Sequence, residues 1–160
     1  MKKRHIEDFY KKVVQEDRYD VFALSLPIIL IAKHLYQEEE SFYKQNFDLL
    51  HSEFDVLASL YFENNEHALT PTELYNTMIF SSGGMTKILK KLEDRGLITR
   101  TTLKEDKRKI LVVLTPKGKD IILNCVEQRL KRLENTFKDF SKKEREVLKG
   151  SLKKLLFSVI

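Results

Sequence analysis

One stretch, Thr70 to Leu114, constrains the fold of this chain more than any other. Thr70-Pro71-Thr72-Glu73 offers a threonine cap, a proline at the first helical position and a glutamate three residues after the cap. That is a capping box with the proline signal added, and it starts a helix. The helix has room for about two turns, through Leu74 and Met78, before Ser81-Ser82-Gly83-Gly84 opens the next one. In the second helix Met85, Ile88, Leu89 and Leu92 recur at helical spacing, and Arg95-Gly96 supplies a last-turn cation and a terminating glycine. The period then changes. Leu97 to Leu103 and Ile110 to Leu114 are rich in β-branched residues and flank the charged run Lys104 to Lys109, which predicts a two-stranded hairpin with a long tip. Two helices joined by a tight polar connection have helix-turn-helix spacing, and the hairpin behind them makes a winged helix.

The flanks are helical. Leu24, Ile28, Ile31, Leu35 and Phe42 predict a long helix from about Asp20 to Gln45, with a start or kink near Pro27. Ser52 caps another, with Phe54, Leu57, Ala58 and Tyr61 as its apolar stripe. Beyond the hairpin, Thr115-Pro116 caps a helix carrying Ile122, Cys125, Val126, Leu130, Leu133 and Phe137. A second capping box, Ser141 to Glu144, opens a last helix with Leu148, Leu152, Leu155, Leu156 and Val159. The expected fold is mainly α with a small β-hairpin wing: N-terminal helices over 1–50, a winged helix-turn-helix over 51–114 and C-terminal helices over 115–160. The flanking helices are more apolar than such a domain needs to cover itself, so they are expected to dimerise the chain.

Several function classes lose support. The single cysteine, Cys125, excludes an internal disulfide framework and a CxxC-type metal site, and fits a reducing, cytoplasmic setting. The N-terminal MKKRHIEDFYKK lacks the apolar core of a signal peptide. The most apolar run, Val21 to Ala32, contains Pro27 and is shorter than the roughly 20 residues of a membrane span, so it reads as a buried helix. His5, His34, His51 and His67 show no i, i+4 pairing, and no metal or cofactor is expected. Neither GxSxG, HExxH, a P-loop nor a Rossmann glycine pattern occurs, so the chain does not read as an enzyme. Glu38-Glu39-Glu40 reads as a solvated helix face, and Cys125 as a buried structural thiol.

Charge position is more informative than charge total. The 29 Lys and Arg against 24 Asp and Glu leave a net +5. Between Ser81 and Lys109 nine basic residues face four acids, a surplus equal to that of the whole chain. The basicity therefore sits on the one helix and hairpin shaped to enter grooves. A recognition helix approaches the major groove by its N-terminal end, where small side chains allow close contact. Ser81, Ser82, Gly83 and Gly84 fit that need, with Thr86, Lys87, Lys90 and Lys91 one turn deeper. Thr70 and Thr72 stand at the start of the preceding helix. Arg100 and the wing residues Lys107, Arg108 and Lys109 complete the expected DNA-facing set, and Asp106 is expected to orient Arg108 or Arg100. The alternative is a winged-helix protein-interaction module, which accounts for the charge but not for the Ser-Ser-Gly-Gly segment.

Thr72-Glu73-Leu74, Leu92 to Arg100 (LEDRGLITR), Asp106-Lys107-Arg108 and Leu114 to Gly118 (LTPKG) together resemble the MarR family of bacterial winged-helix transcription regulators. The resemblance covers about residues 52 to 118. It implies a homodimer, expected to be a repressor, reading a pseudo-palindromic double-stranded operator with helix 81–95 in the major groove and wing 103–110 toward the minor groove. Glu53 to Leu57 and Ser81 to Thr86 look most like the subgroup that includes phenolic-ligand and urate-responsive members. The chain has no Trp and carries Ile88 where urate responders have an arginine, so urate sensing is not expected. The resemblance also implies a crevice for a small aromatic or phenolic effector, drawing here on His34, Phe42, Asp55 and Cys125.

Overall fold

In a computed structural model, residues 3–14, 17–77, 84–102 and 109–160 are described. Their elements run α1 (Lys3–Val14), a short 3-10 turn (Asp17–Tyr19), α2 (Asp20–Phe47), α3 (His51–Phe62), β1 (Ala68–Leu69) and α4 (Pro71–Thr77). Then come α5 (Met85–Asp94), β2 (Ile98–Thr102), β3 (Ile110–Leu114), α6 (Pro116–Thr136) and α7 (Lys142–Val159). The mainly helical fold with a small antiparallel sheet is the one the sequence predicts. It divides into two compact units, Met1–His51 and Ser52–Ile160.

In the first unit α1 packs on α2. Helix α2 runs through Pro27. Proline has no N–H to donate to the carbonyl four residues earlier, which is that of Ala23; the Tyr10 hydroxyl donates to it instead, at 3.2 Å. Asp48 ends α2 in the left-handed conformation, φ 50°, and its side chain pairs with Lys44. The apolar run in α2 is helical, as expected, but not buried within the chain. Phe22, Leu24, Ile29 and Ile31 are each more than half exposed.

The second unit gathers its core from the elements before α7. Val56, Leu57 and Leu60 of α3, Leu74 of α4, Leu92 of α5, Leu97, Val112 of β3 and Ile122 and Cys125 of α6 are completely buried. The sheet has three strands in the order β1-β3-β2, with Ile98 opposite Leu114 and Ala68 opposite Val113. Strand β1 is a correction to the two-stranded reading: two residues are too few to show a period. Local caps hold the helices as expected. The Thr115 hydroxyl accepts from the Gly118 N–H at 3.0 Å, and Ser141 with Glu144 forms the complete capping box of α7. Helix α3 begins at His51, so Ser52 lies inside its first turn rather than capping it.

Candidate nucleic-acid interface

The site starts from the cap of α4. Thr70 N–H donates to Glu73 Oε2 at 2.7 Å, its hydroxyl donates to the same oxygen at 2.8 Å, and Glu73 N–H returns a bond to the hydroxyl at 3.2 Å. Those bonds from the Thr70 backbone and hydroxyl hold the Glu73 carboxyl below its ordinary range. The Thr70 hydroxyl is thus engaged in the cap, while Thr72 is exposed.

Helix α5 divides cleanly. Ile88, Leu89 and Leu92 face the core, and Thr86, Lys87 and Lys90 lie on the other side, with both lysines exposed. This follows from the 3.6-residue period, which separates the two sets on the helical circle. The helix begins at Met85 with Gly84 as its N-cap, so Gly84 is not an interior glycine, as a helix over 81–95 would make it. Its φ is +79°, a conformation that costs an L-residue roughly 1–2 kcal/mol. A β-carbon there would meet nothing within 4 Å. Gly84 is therefore required by backbone shape, and among the described residues nothing fills the space beside it. Its carbonyl accepts from Lys87 and Ile88 N–H at 2.8 and 3.0 Å, starting the helix.

Two basic residues of α5 and its end turn the other way. Lys91 Nζ lies 2.7 Å from Glu53 Oε1 and Arg95 Nη1 3.8 Å from Glu53 Oε2, and Glu53 is 1% exposed. The sequence places Lys91 among the expected DNA-facing residues; in the structure its ammonium pairs with α3. Glu53 is absent from the expected set, because its role as an acid partner depends on a helix far along the chain. Arg100 on β2 pairs with Glu93 at 3.3 Å, which gives it an orienting carboxylate other than the expected Asp106. Lys109 is exposed at the start of β3. Ser81, Ser82, Gly83, Asp106, Lys107 and Arg108 lie outside the described residues.

The residues expected around an effector are divided between the units. In the first, His34 is exposed with Nε2 3.6 Å from Glu38 Oε1, and Phe42 is buried against the rings of Tyr43 and Phe47. In the second, Asp55 is buried on α3 and Cys125 on α6. An apolar groove of ≈ 430 Å³ lies elsewhere, between α6 and α7, lined by Leu130, Leu133, Phe137, Leu148 and Leu152. Arg145 also lines it and donates to the carbonyls of Phe137 and Phe140 at 2.5 and 3.0 Å. Among the described residues no group of three His, Cys, Asp or Glu is placed to hold a metal, and no helix is long and apolar enough to cross a membrane.

The MarR family pattern matches residues 49–110. The chain is 31% identical over 119 residues to the HTH-type transcriptional regulator SarZ of Staphylococcus haemolyticus, a match taking in 72% of this chain and 76% of SarZ. The chain belongs to the MarR family. Similarity to the HTH-type transcriptional regulator PecS of Dickeya dadantii is 28% over 100 residues, covering 62% of this chain and 60% of PecS. The solved structure of a MarR family protein from Bacillus stearothermophilus superposes with a TM-score of 0.75 at 26% identity, over 90% of this chain and 98% of that one. In this MarR chain the matched segment contains α4, α5, β2 and the Glu53 carboxylate.

Proposed function

We propose that this MarR-family DNA-binding regulator works as a homodimeric repressor of a pseudo-palindromic operator. Each α5 would lie in a major groove, with half-sites about 34–36 Å apart. The observation that carries the reading is the division of α5: one face is core, and the other offers Thr86, Lys87 and Lys90 behind the open backbone at Gly84. Lysines on that face suit phosphates, and threonine suits a base edge or methyl group. The same reading assigns DNA contacts to Thr72, Arg100 and Lys109, and, from the sequence alone, to Ser81, Ser82, Gly83, Lys107 and Arg108.

Dimerisation is supported by apolar surface that one copy leaves uncovered. In α7 Val147, Leu156, Phe157 and Val159 are each more than half exposed, and no residue of that helix is buried. Two copies are what a two-fold operator needs. In this reading the protein has no catalytic role, and its effector, where one acts, is a small aromatic molecule.

The test is binding to DNA from the region upstream of the protein's own gene, in the presence of competitor DNA, at about 50 and 200 mM salt. A specific complex that weakens by about 10³ or more over that range reports several phosphate contacts. Absent or sequence-indifferent binding would overturn the proposal and favour a protein-interaction module.

A further inference from the structure

Glu53 is a carboxylate with 1% of its side chain exposed, and a buried carboxylate is costly unless cations and hydrogen bonds compensate it. Here each oxygen has its own cation: Oε1 faces Lys91 Nζ at 2.7 Å, and Oε2 faces Arg95 Nη1 at 3.8 Å. Lys91 and Arg95 are four residues apart, hence neighbours on one face of α5 and its end. Other links between α5 and its surroundings are the apolar contacts of Ile88, Leu89 and Leu92, which are non-directional, and the Glu93–Arg100 pair, whose side chains are 39% and 33% exposed and so more screened than the buried carboxylate. A charge-assisted bond has a preferred length and direction. The 2.7 Å Lys91 contact is of that kind, and Arg95 at 3.8 Å adds Coulombic attraction one turn further on; together they resist rotation of α5 about its axis.

We propose that Glu53 is a positioning residue for DNA reading, and that Lys91 and Arg95 serve as the anchor it grips rather than as phosphate contacts. The carboxylate sets the azimuth of α5 and so directs Thr86, Lys87 and Lys90 outward together. This inference rests on the DNA-reading proposal above. It separates the cations of α5 and its end into two classes that the sequence does not distinguish: Lys87 and Lys90 for the ligand, Lys91 and Arg95 for the fold.

The test compares Glu53→Gln, which keeps size and removes charge, with Lys91→Met. The probes are a duplex enriched from a randomised library by the unsubstituted protein, and a scrambled duplex of the same composition. Misdirected base contacts should lower affinity for the enriched duplex about tenfold or more in both variants. Affinity for the scrambled duplex, and the dependence on salt, should be unchanged. In the DNA-free protein, hydrogen exchange should quicken at the α5 amides Ile88 to Leu92 in Glu53→Gln and stay constant at Ile122 to Val126 of α6. Parallel loss on both duplexes would mean a merely structural role. A salt slope lowered by about 0.9 in Lys91→Met would make Lys91 a phosphate contact. Either result, or unchanged α5 exchange, overturns the inference. Failure of the DNA-reading proposal looks different: the unsubstituted protein would then enrich no duplex.

Discussion

Gly118 lies so close to Leu97 that a β-carbon on it would stand 2.1 Å from the Leu97 carbonyl oxygen and 2.9 Å from Leu114 Cδ1. This proximity presses the first turn of α6 against the base of the wing. Thr115 completes the junction: its hydroxyl donates to the Gly96 carbonyl at 2.8 Å and accepts from Gly118 N–H. Because the obstruction is backbone, no rotamer relieves it. Gly118→Ala is expected to destabilise the protein by about 3 kcal/mol, read as a lower midpoint in urea denaturation.

Gly84 and Gly96 both have positive φ, +79° and +68°, with open space where a β-carbon would go. Alanine at either position should cost about 1 kcal/mol through backbone strain alone. Only Gly84 stands at the end of α5 that the proposed function turns toward DNA. Gly84→Ala should therefore weaken specific DNA binding beyond its effect on stability, while Gly96→Ala, matched in melting temperature, should bind normally.

Lys87 and Lys90 are exposed and belong to the outward face of α5. Lys87→Ala should leave the melting temperature unchanged and lower the slope of log affinity against log salt by about 0.9, because one phosphate would no longer be neutralised. Fluorescence anisotropy at several salt concentrations measures it.

The α4 cap gives a pH dependence of known sign. Hydrogen bonds from Thr70 lower the folded-state pKa of Glu73 from its ordinary 4.5. The unfolded chain therefore takes up a proton first as pH falls, so the cap's contribution is full above about 4.5 and disappears as pH drops through the folded value. Glu73→Gln should be less stable than the unsubstituted protein near neutrality, and the difference should shrink in melts at successively lower pH as the carboxyl is protonated.

The apolar face of α7 predicts the assembly state. Leu156 is 53% exposed and Phe157 67%. A charge among such residues cannot be buried unpaired in a subunit contact. The unsubstituted protein is expected to sediment as two chains, and Leu156→Glu as one of 18.9 kDa with most of its operator affinity lost.

The features legible in the sequence were those made by residues close along it. The boxes at Thr70 and Ser141, the Thr115 cap with Pro116, and the two faces of α5 all arise from interactions spanning three or four positions. Such spacing can be read directly, and with it came the winged helix and the family. The chain by itself also determined that its cations concentrate between Ser81 and Lys109. Only the tertiary structure decided which of them face outward. Lys90 and Lys91 are adjacent in sequence, yet the helical turn between them sends one to solvent and the other to a carboxylate on α3. Likewise β1 exists because β3 offers it backbone partners, and Gly118 must be glycine because Leu97 lies against it. These outcomes depend on which surfaces meet when the core closes, and residue spacing carries no record of that.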